Sequence, residues 1–466
     1  MATQASTHAQ APELLRQLGL VSAAALVVSN MIGTGVFGTT GFLAGDLGSP
    51  SLVLWIWVVG AICALLGAFC YSELGVNFPS SGGEYVYLTQ AYGPTWGFMT
   101  GWVSFFAGFS APIALAALAF SEYLGYFWPG FKQANPMLVF GPAWFTVKVG
   151  GAQLAASLLI ALLTLINLFG VKPVAAIQNV LTATKLGVIF GMIFFAFAAG
   201  TGNWDHFSQP AARWTNKSIE AQFFISLFFI YLSYSGWNAA TYVAEEIQQP
   251  AKTLPRALAL GTAGVAVIYL ALNVVFIYAM PLEKMKGEIA IGALAAQHLF
   301  GPAVSGVFAA LFAVSLTSTV NAMVTIGPRV YYAMAKNGAF LPMAAYVHPQ
   351  WRTPIWAIIL QGMVAIVMTL TPFPDLMMFV GFLLNFFASA TVASLFIFRR
   401  RPGWQKLPVV SFAWPLVPAL FLLVGAWMTV FGFLREPRIT LTATIVVVAG
   451  ALLFRSMRAG QPAAAA

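Results

Sequence analysis

Few residues in this chain suit covalent or metal chemistry. The four histidines, His8, His206, His298 and His348, fall in tails or between apolar runs, without the spacing of metal or haem ligands. Cys63 and Cys70 lie in one expected helix, about 10 Å apart along its axis, too far to bridge each other. No nucleophile has a base set beside it, so no catalytic residue, metal or cofactor is expected. What remains is recognition by main-chain dipoles and by one cation. "SNMIGTGVFG" (29–38) and "YLSYSGWNAATYVAEE" (231–246) put glycine in the middle of apolar runs, and "NVLTATKLGVIFGMIFF" (179–195) puts Lys185 in another.

Those runs belong to a chain built for lipid. Of 466 residues 60% are hydrophobic, 15% aromatic and only 8% charged, with mean hydropathy +0.84. Soluble domains carry about a quarter charged residues. The net charge of +9 comes from basic residues at the ends of apolar runs, where headgroups explain them better than a nucleic-acid partner. Membrane lipids are therefore expected neighbours. The runs are about 20 residues long, the length that spans a bilayer as a helix.

Twelve spans are expected, at 20–45, 51–76, 96–125, 150–169, 174–200, 219–246, 257–281, 303–327, 355–372, 376–398, 411–433 and 439–455. "EYVYLTQAY" (84–92), after the turn "FPSSGG", reads as a short interfacial helix, and 329–346 as a second. The stretches 126–149, 200–218 and 282–302 read as loops within one membrane domain. Thirteen Lys and Arg fall on the N-terminal side and eight on the other, which predicts that both termini are cytoplasmic and that the chain sits in the cytoplasmic (inner) membrane. The N-terminus lacks the pattern of a cleaved signal peptide.

A break inside hydrocarbon costs several kcal/mol per unpaired backbone group unless protein, water or ligand replaces the lost bonds. In "IGTGVFGTTG", Gly33, Gly35 and Gly38 weaken the helix and permit close approach to the backbone. Free N–H groups at Thr34, Gly35 and Val36 then form a positive-ended cradle for a carboxylate. Glycines in membrane helices also serve close packing, so one such segment decides nothing. The second, Ser235-Gly236 in the sixth span, supplies the pairing: two glycine-interrupted spans at corresponding places mark an inverted-repeat carrier with a midplane site.

"IGTGVFG", "PSSGGEYVYLTQAYGPTWGFMTGW", "YSGWNAATYVAEEIQQPAKTLPRA" and "RVYYAMAKNGAFLP…HPQWRTP" occur in this order between about residues 15 and 400. Together they resemble the amino acid-polyamine-organocation transporter superfamily, in particular its L-type amino acid transporters and their bacterial relatives. The resemblance implies an all-α, leucine-transporter-like fold. Ten core helices form two inverted five-helix repeats (about 20–200 and 219–398) with broken first and sixth helices, and two peripheral helices follow at about 411–455. It implies that the substrate carboxylate binds at Thr34 and Gly35 and its amino group at carbonyls near Met31 and Ile32. Leu232, Ser233 and Ser235 are the sixth-span counterparts, with Gly236 and Trp237 shaping the break. Many L-type members carry a gating aromatic where this chain has Leu232, with Tyr231 and Tyr234 close by. Eukaryotic members join an accessory glycoprotein through an extracellular cysteine. Both cysteines here lie in the second span, so no accessory heavy subunit is expected.

Lys185 is the basic residue set well inside a span; snorkelling to headgroups is its ordinary role, whereas intramembrane charges are costly and usually functional. The resemblance places a lysine here against the broken first helix near Gly33. Lys185 would stand in for a sodium ion bound by related carriers, which predicts sodium-independent transport by exchange or proton coupling. Glu73, Glu122, Glu245, Glu246 and Asp375 fall near span ends, and none is expected beside a break, so a small neutral amino acid fits best. A cationic amino acid or polyamine carrier is the alternative within the class. An amino-acid-gated channel is the alternative outside it, but that would need a continuous polar pore lining rather than two isolated breaks. Glu245 and Glu246 with Lys252 and Arg256 would make a cytoplasmic latch or an ordinary solvated helix end. The hydroxyls of Ser315, Thr317, Ser318 and Thr319 would line the cavity beside the first-span break or, as expected, bond back to their own helix.

Overall fold

The computed structural model describes residues 16–79, 82–141, 147–336 and 338–459. Apart from one short antiparallel hairpin, Pro136–Phe140 with Val147–Gly150, its regular structure there is helical. Among the described residues ten helices are long and apolar enough to cross a membrane. They stand at ten of the twelve expected places. The other two, Ile219–Ser233 and Ile355–Met368, are shorter apolar helices, so length alone does not bear out twelve spans.

The first span is two half-helices, Leu20–Met31 and a second that starts at Thr34 and runs on through Thr39 to Leu47. Pro50–Asn77 is the second, and the interfacial helix after it is Glu84–Tyr92, at the expected place. The third, Pro94–Leu124, contains a wider turn over Ser104–Ser110. Pro112 follows it and has no N–H for the carbonyl four residues back, the ordinary cause of such a local widening. Gly151–Leu168 and Val171–Ala199 are the fourth and fifth. The sixth is a helix to Ser233, an irregular turn, and a 3₁₀ segment Ala239–Glu246. Pro250–Ala279, Pro302–Lys336, Ile355–Met368, Phe373–Phe398, Leu416–Arg435 and Pro437–Ala459 complete the series.

Two expectations are corrected. The eighth span runs on past Pro328 to Lys336, so the interfacial element expected at 329–346 reduces to the turn Pro342–Ala345. A packed membrane helix tolerates such a proline where neighbours take up the freed groups. The stretch 282–302 is no plain loop: it carries helices Leu282–Met285 and Ile291–Phe300, the second packed on the eighth span.

Packing divides the bundle. The seventh span lies against the second and the first half-helix, whereas the eighth lies against the third and fifth. A buried ion pair ties the second span to the tenth. Arg399 gives Glu73 two hydrogen bonds, at 2.6 and 2.5 Å, and Glu73 also accepts from the Trp404 indole at 2.8 Å and the Leu407 amide at 3.0 Å. A charge removed from water is tolerable only when its lone pairs are filled in this way.

Candidate functional site

Only Ile32 and Gly33 leave helical geometry in the first span, at φ/ψ −73°/96° and −139°/−151°. The helix restarts at Thr34, so the N–H groups of Thr34, Gly35 and Val36 are the unpaired donors of a fresh helix start, as expected. Carbonyls on the other side of the break need donors, and two distant side chains provide them. The Lys185 ammonium, 2% exposed, donates to the Ile32 carbonyl at 2.7 Å and lies 3.4 Å from that of Ser29. The Tyr269 hydroxyl lies 2.6 Å from the Met31 carbonyl oxygen and 3.0 Å from that of Ser233.

In the sixth span the helix stops at Ser233 and residues 234–238 form a turn. Gly236 has φ +93°, a conformation that favours glycine, and a Cβ there would sit 2.8 Å from the Asn30 carbonyl oxygen. The two breaks therefore touch. Gly35 fits directly against the Ser233 backbone, leaving no room for a side chain, and the Ser233 and Thr39 hydroxyls are 3.0 Å apart. Tyr269 spans the junction from the seventh helix. Its ring packs on Trp57 and Tyr234 at centroid distances of 5.3 and 5.2 Å, and Tyr234 donates to the Trp57 carbonyl. Trp237 packs edge-on to Tyr71 at 4.7 Å.

The structure thus brings together the first-span break, residues 31–36, with Ser233 and Gly236 from the sixth span and Lys185 from the fifth, while Ser235 lies in the turn between Ser233 and Gly236 and bonds back through its amide to the Leu232 carbonyl. Leu232 and Trp237 are buried in the same neighbourhood. Gly38 faces the Phe373 ring, so it serves helix packing rather than a ligand. On the side away from the termini Phe42 stacks on Phe373 at 5.9 Å and lies 6.1 Å from Phe229.

Three contributors remain: Tyr269 and Glu84, which the sequence reading did not name, and Thr319, which departs from the back-bonding expected of it. Tyr269 is one tyrosine in an apolar span, with no local signal of its reach. Ser315 and Thr317 do bond back to their own helix, and Ser318 accepts from Gln178, but Thr319 Oγ1 is buried without a hydrogen-bond partner and its methyl lies beside Gly33. Glu84 is the third. It accepts from Asn238, at the edge of the sixth-span break, and from Tyr242, which corrects the expectation that no acidic residue lies beside a break.

Comparison with known proteins gives the family. A family model described as amino acid permease matches residues 18–454. The chain is 28% identical over 438 residues to mouse (Mus musculus) "Large neutral amino acids transporter small subunit 2", covering 93% of this chain and 79% of that one. It is 28% identical over 448 residues to mouse "Asc-type amino acid transporter 1", covering 95% and 81%. It is also 28% identical over 460 residues to mouse "b(0,+)-type amino acid transporter 1", covering 96% and 89%. The first relative is named a small subunit, which gives no support to the expectation that this chain lacks an accessory subunit. The chain belongs to the amino acid permease family within the amino acid-polyamine-organocation superfamily, a multi-pass membrane transporter of amino acids and not an enzyme.

Proposed function

We propose that the chain carries small neutral L-amino acids across the cytoplasmic membrane by alternating access, without sodium, by exchange or with protons. The supporting observation is the meeting of the two breaks, with Gly35 on Ser233 and Tyr269 over both. The amides of Thr34, Gly35 and Val36 face the substrate carboxylate. The carbonyl ends near Met31, Ile32, Leu232 and Ser233 face its ammonium, with Ser235 lining the site and Gly236 and Trp237 shaping it. Lys185 fills the place of a cation, coupling the fifth span to the break at Gly33. In this reading 20–200 and 219–398 are the two repeats of one domain, 411–455 is peripheral, and both termini are cytoplasmic.

A thermal-shift screen of the purified protein against the twenty amino acids, then proteoliposome uptake of each stabilising hit with and without sodium and across a pH gradient, tests this. Stabilisation by alanine, serine or another small neutral amino acid, followed by saturable sodium-free uptake, is the expected result. Strict sodium dependence overturns the role given to Lys185, and ohmic single-channel currents overturn the carrier. A cationic substrate is the second reading, favoured by Glu84 beside Asn238. Stabilisation by lysine or a polyamine alone would select it.

A further inference from the structure

Two motifs that lie 154 residues apart in the chain, "GGEY" and "SGWNAATY", meet in space. Glu84 opens the interfacial helix Glu84–Tyr92, and its two carboxyl oxygens accept separately, Oε1 from the Asn238 amide nitrogen and Oε2 from the Tyr242 hydroxyl. Both donors sit just beyond the Gly236 break, Tyr242 within the segment Ala239–Glu246. Gly82 and Gly83 have φ of +134° and +50°, and Gly83 lies so close to the Tyr242 ring that a Cβ would overlap it. The paired glycines thus let the helix start fit against that ring. Among the described residues the ion pairs are Lys217–Glu436, Lys286–Glu283 and Arg399–Glu73, so Glu84 is held by neutral donors alone. The interfacial helix itself packs on the third and tenth spans, whereas Asn238 and Tyr242 follow the broken helix.

We propose that Glu84 is a positioning residue that latches the second part of the sixth span to the interfacial helix, and that breaking this latch is a step in opening the site toward the side of the termini. The inference rests on the alternating-access reading, in which the sixth-span segment moves relative to the third and tenth spans. One carboxylate holds two donors on one segment, so both bonds must break together when that segment swings. Charge-assisted acceptance makes the grip stronger than a neutral pair would.

Hydrogen–deuterium exchange of the backbone over 234–248 in the purified full chain tests the latch without requiring transport. Glu84→Ala, which removes both bonds, should raise exchange there by about a hundredfold, and Tyr242→Phe, which removes one, by about tenfold, the factor that one charge-assisted bond is worth in an opening equilibrium. Glu84→Gln should fall between Glu84→Ala and the natural chain. In proteoliposomes, weakening the latch should lower KM on the side of the termini and raise it on the other, a split that a merely structural role would not produce. Unchanged exchange in Glu84→Ala, or an equal loss of transport from both sides, overturns the proposal. So does stabilisation by lysine that vanishes in Glu84→Ala, which would make Glu84 a substrate counter-ion. Should Glu84→Ala fail to fold, Tyr242→Phe carries the test alone. A natural chain that transports no amino acid, yet shows the expected exchange pattern, would sink the transport reading and leave the latch standing.

Discussion

Replacing Lys185 by methionine keeps the length of the side chain and removes the ammonium. The Ile32 carbonyl, 2.7 Å away at the break, then loses its donor in a place that water does not reach, because Lys185 is 2% exposed. An unpaired buried acceptor costs about 1–3 kcal/mol, and the contact to Ser29 at 3.4 Å is too long to add much. The cost falls on the geometry that presents Thr34 and Gly35, not on the whole bundle. Burying methionine in place of a charge offsets it globally. Apparent affinity for the stabilising amino acid should therefore drop about 10- to 100-fold at about 1.4 kcal/mol per tenfold, with little change in melting temperature. Calorimetric binding in sodium-free detergent solution reads the first, and a thermal melt the second. Lys185→Ala, which empties the cation place, should gain thermal stability from added sodium that the natural chain does not gain. Sodium-free binding by Lys185→Met within threefold of the natural chain would refute the reasoning.

Glycines at the first break should respond unequally: Gly35→Ala overlaps the Ser233 backbone and should abolish substrate-induced stabilisation at an overpacking cost of about 1–3 kcal/mol. Gly33→Ala meets the Thr319 methyl at 3.5 Å and the Met31 carbonyl oxygen at 3.9 Å, both ordinary contacts, and should retain binding in the same melt assay. Tyr269→Phe keeps the ring and deletes the hydroxyl shared by Met31 and Ser233, so affinity should fall roughly tenfold, measured by titration calorimetry. Glu73→Gln leaves Arg399 buried without its counter-charge, about 3–5 kcal/mol, and should lower the melting temperature by several degrees while sparing substrate KM.

Much of the site could be read locally. The breaks fall where glycine sits in an apolar run, and the interfacial helix begins where Gly82-Gly83 turns the chain, because these are properties of neighbouring residues. Lys185 was legible as a charge too costly to lack a purpose, and it reaches Ile32, one residue from the expected Gly33. Tyr269 and Glu84 were not legible, and Thr319 was legible only as one of four neighbouring hydroxyls. Each acts on a residue far along the chain, and a tyrosine or threonine in a membrane helix looks the same whether it bonds its own backbone or another helix. The eighth span was cut short at Pro328 because a proline reads as an end, whereas packing carries the helix through it.

A phenol has a single hydrogen, yet Tyr269 stands before two carbonyl oxygens, those of Met31 and Ser233. At any instant its proton serves one of them, which leaves the other open to a second donor. An arriving ammonium group brings three hydrogens and can be that donor, releasing Tyr269 to settle on either partner. In the proposed reading, occupancy is felt on both broken helices through the one hydroxyl that they share.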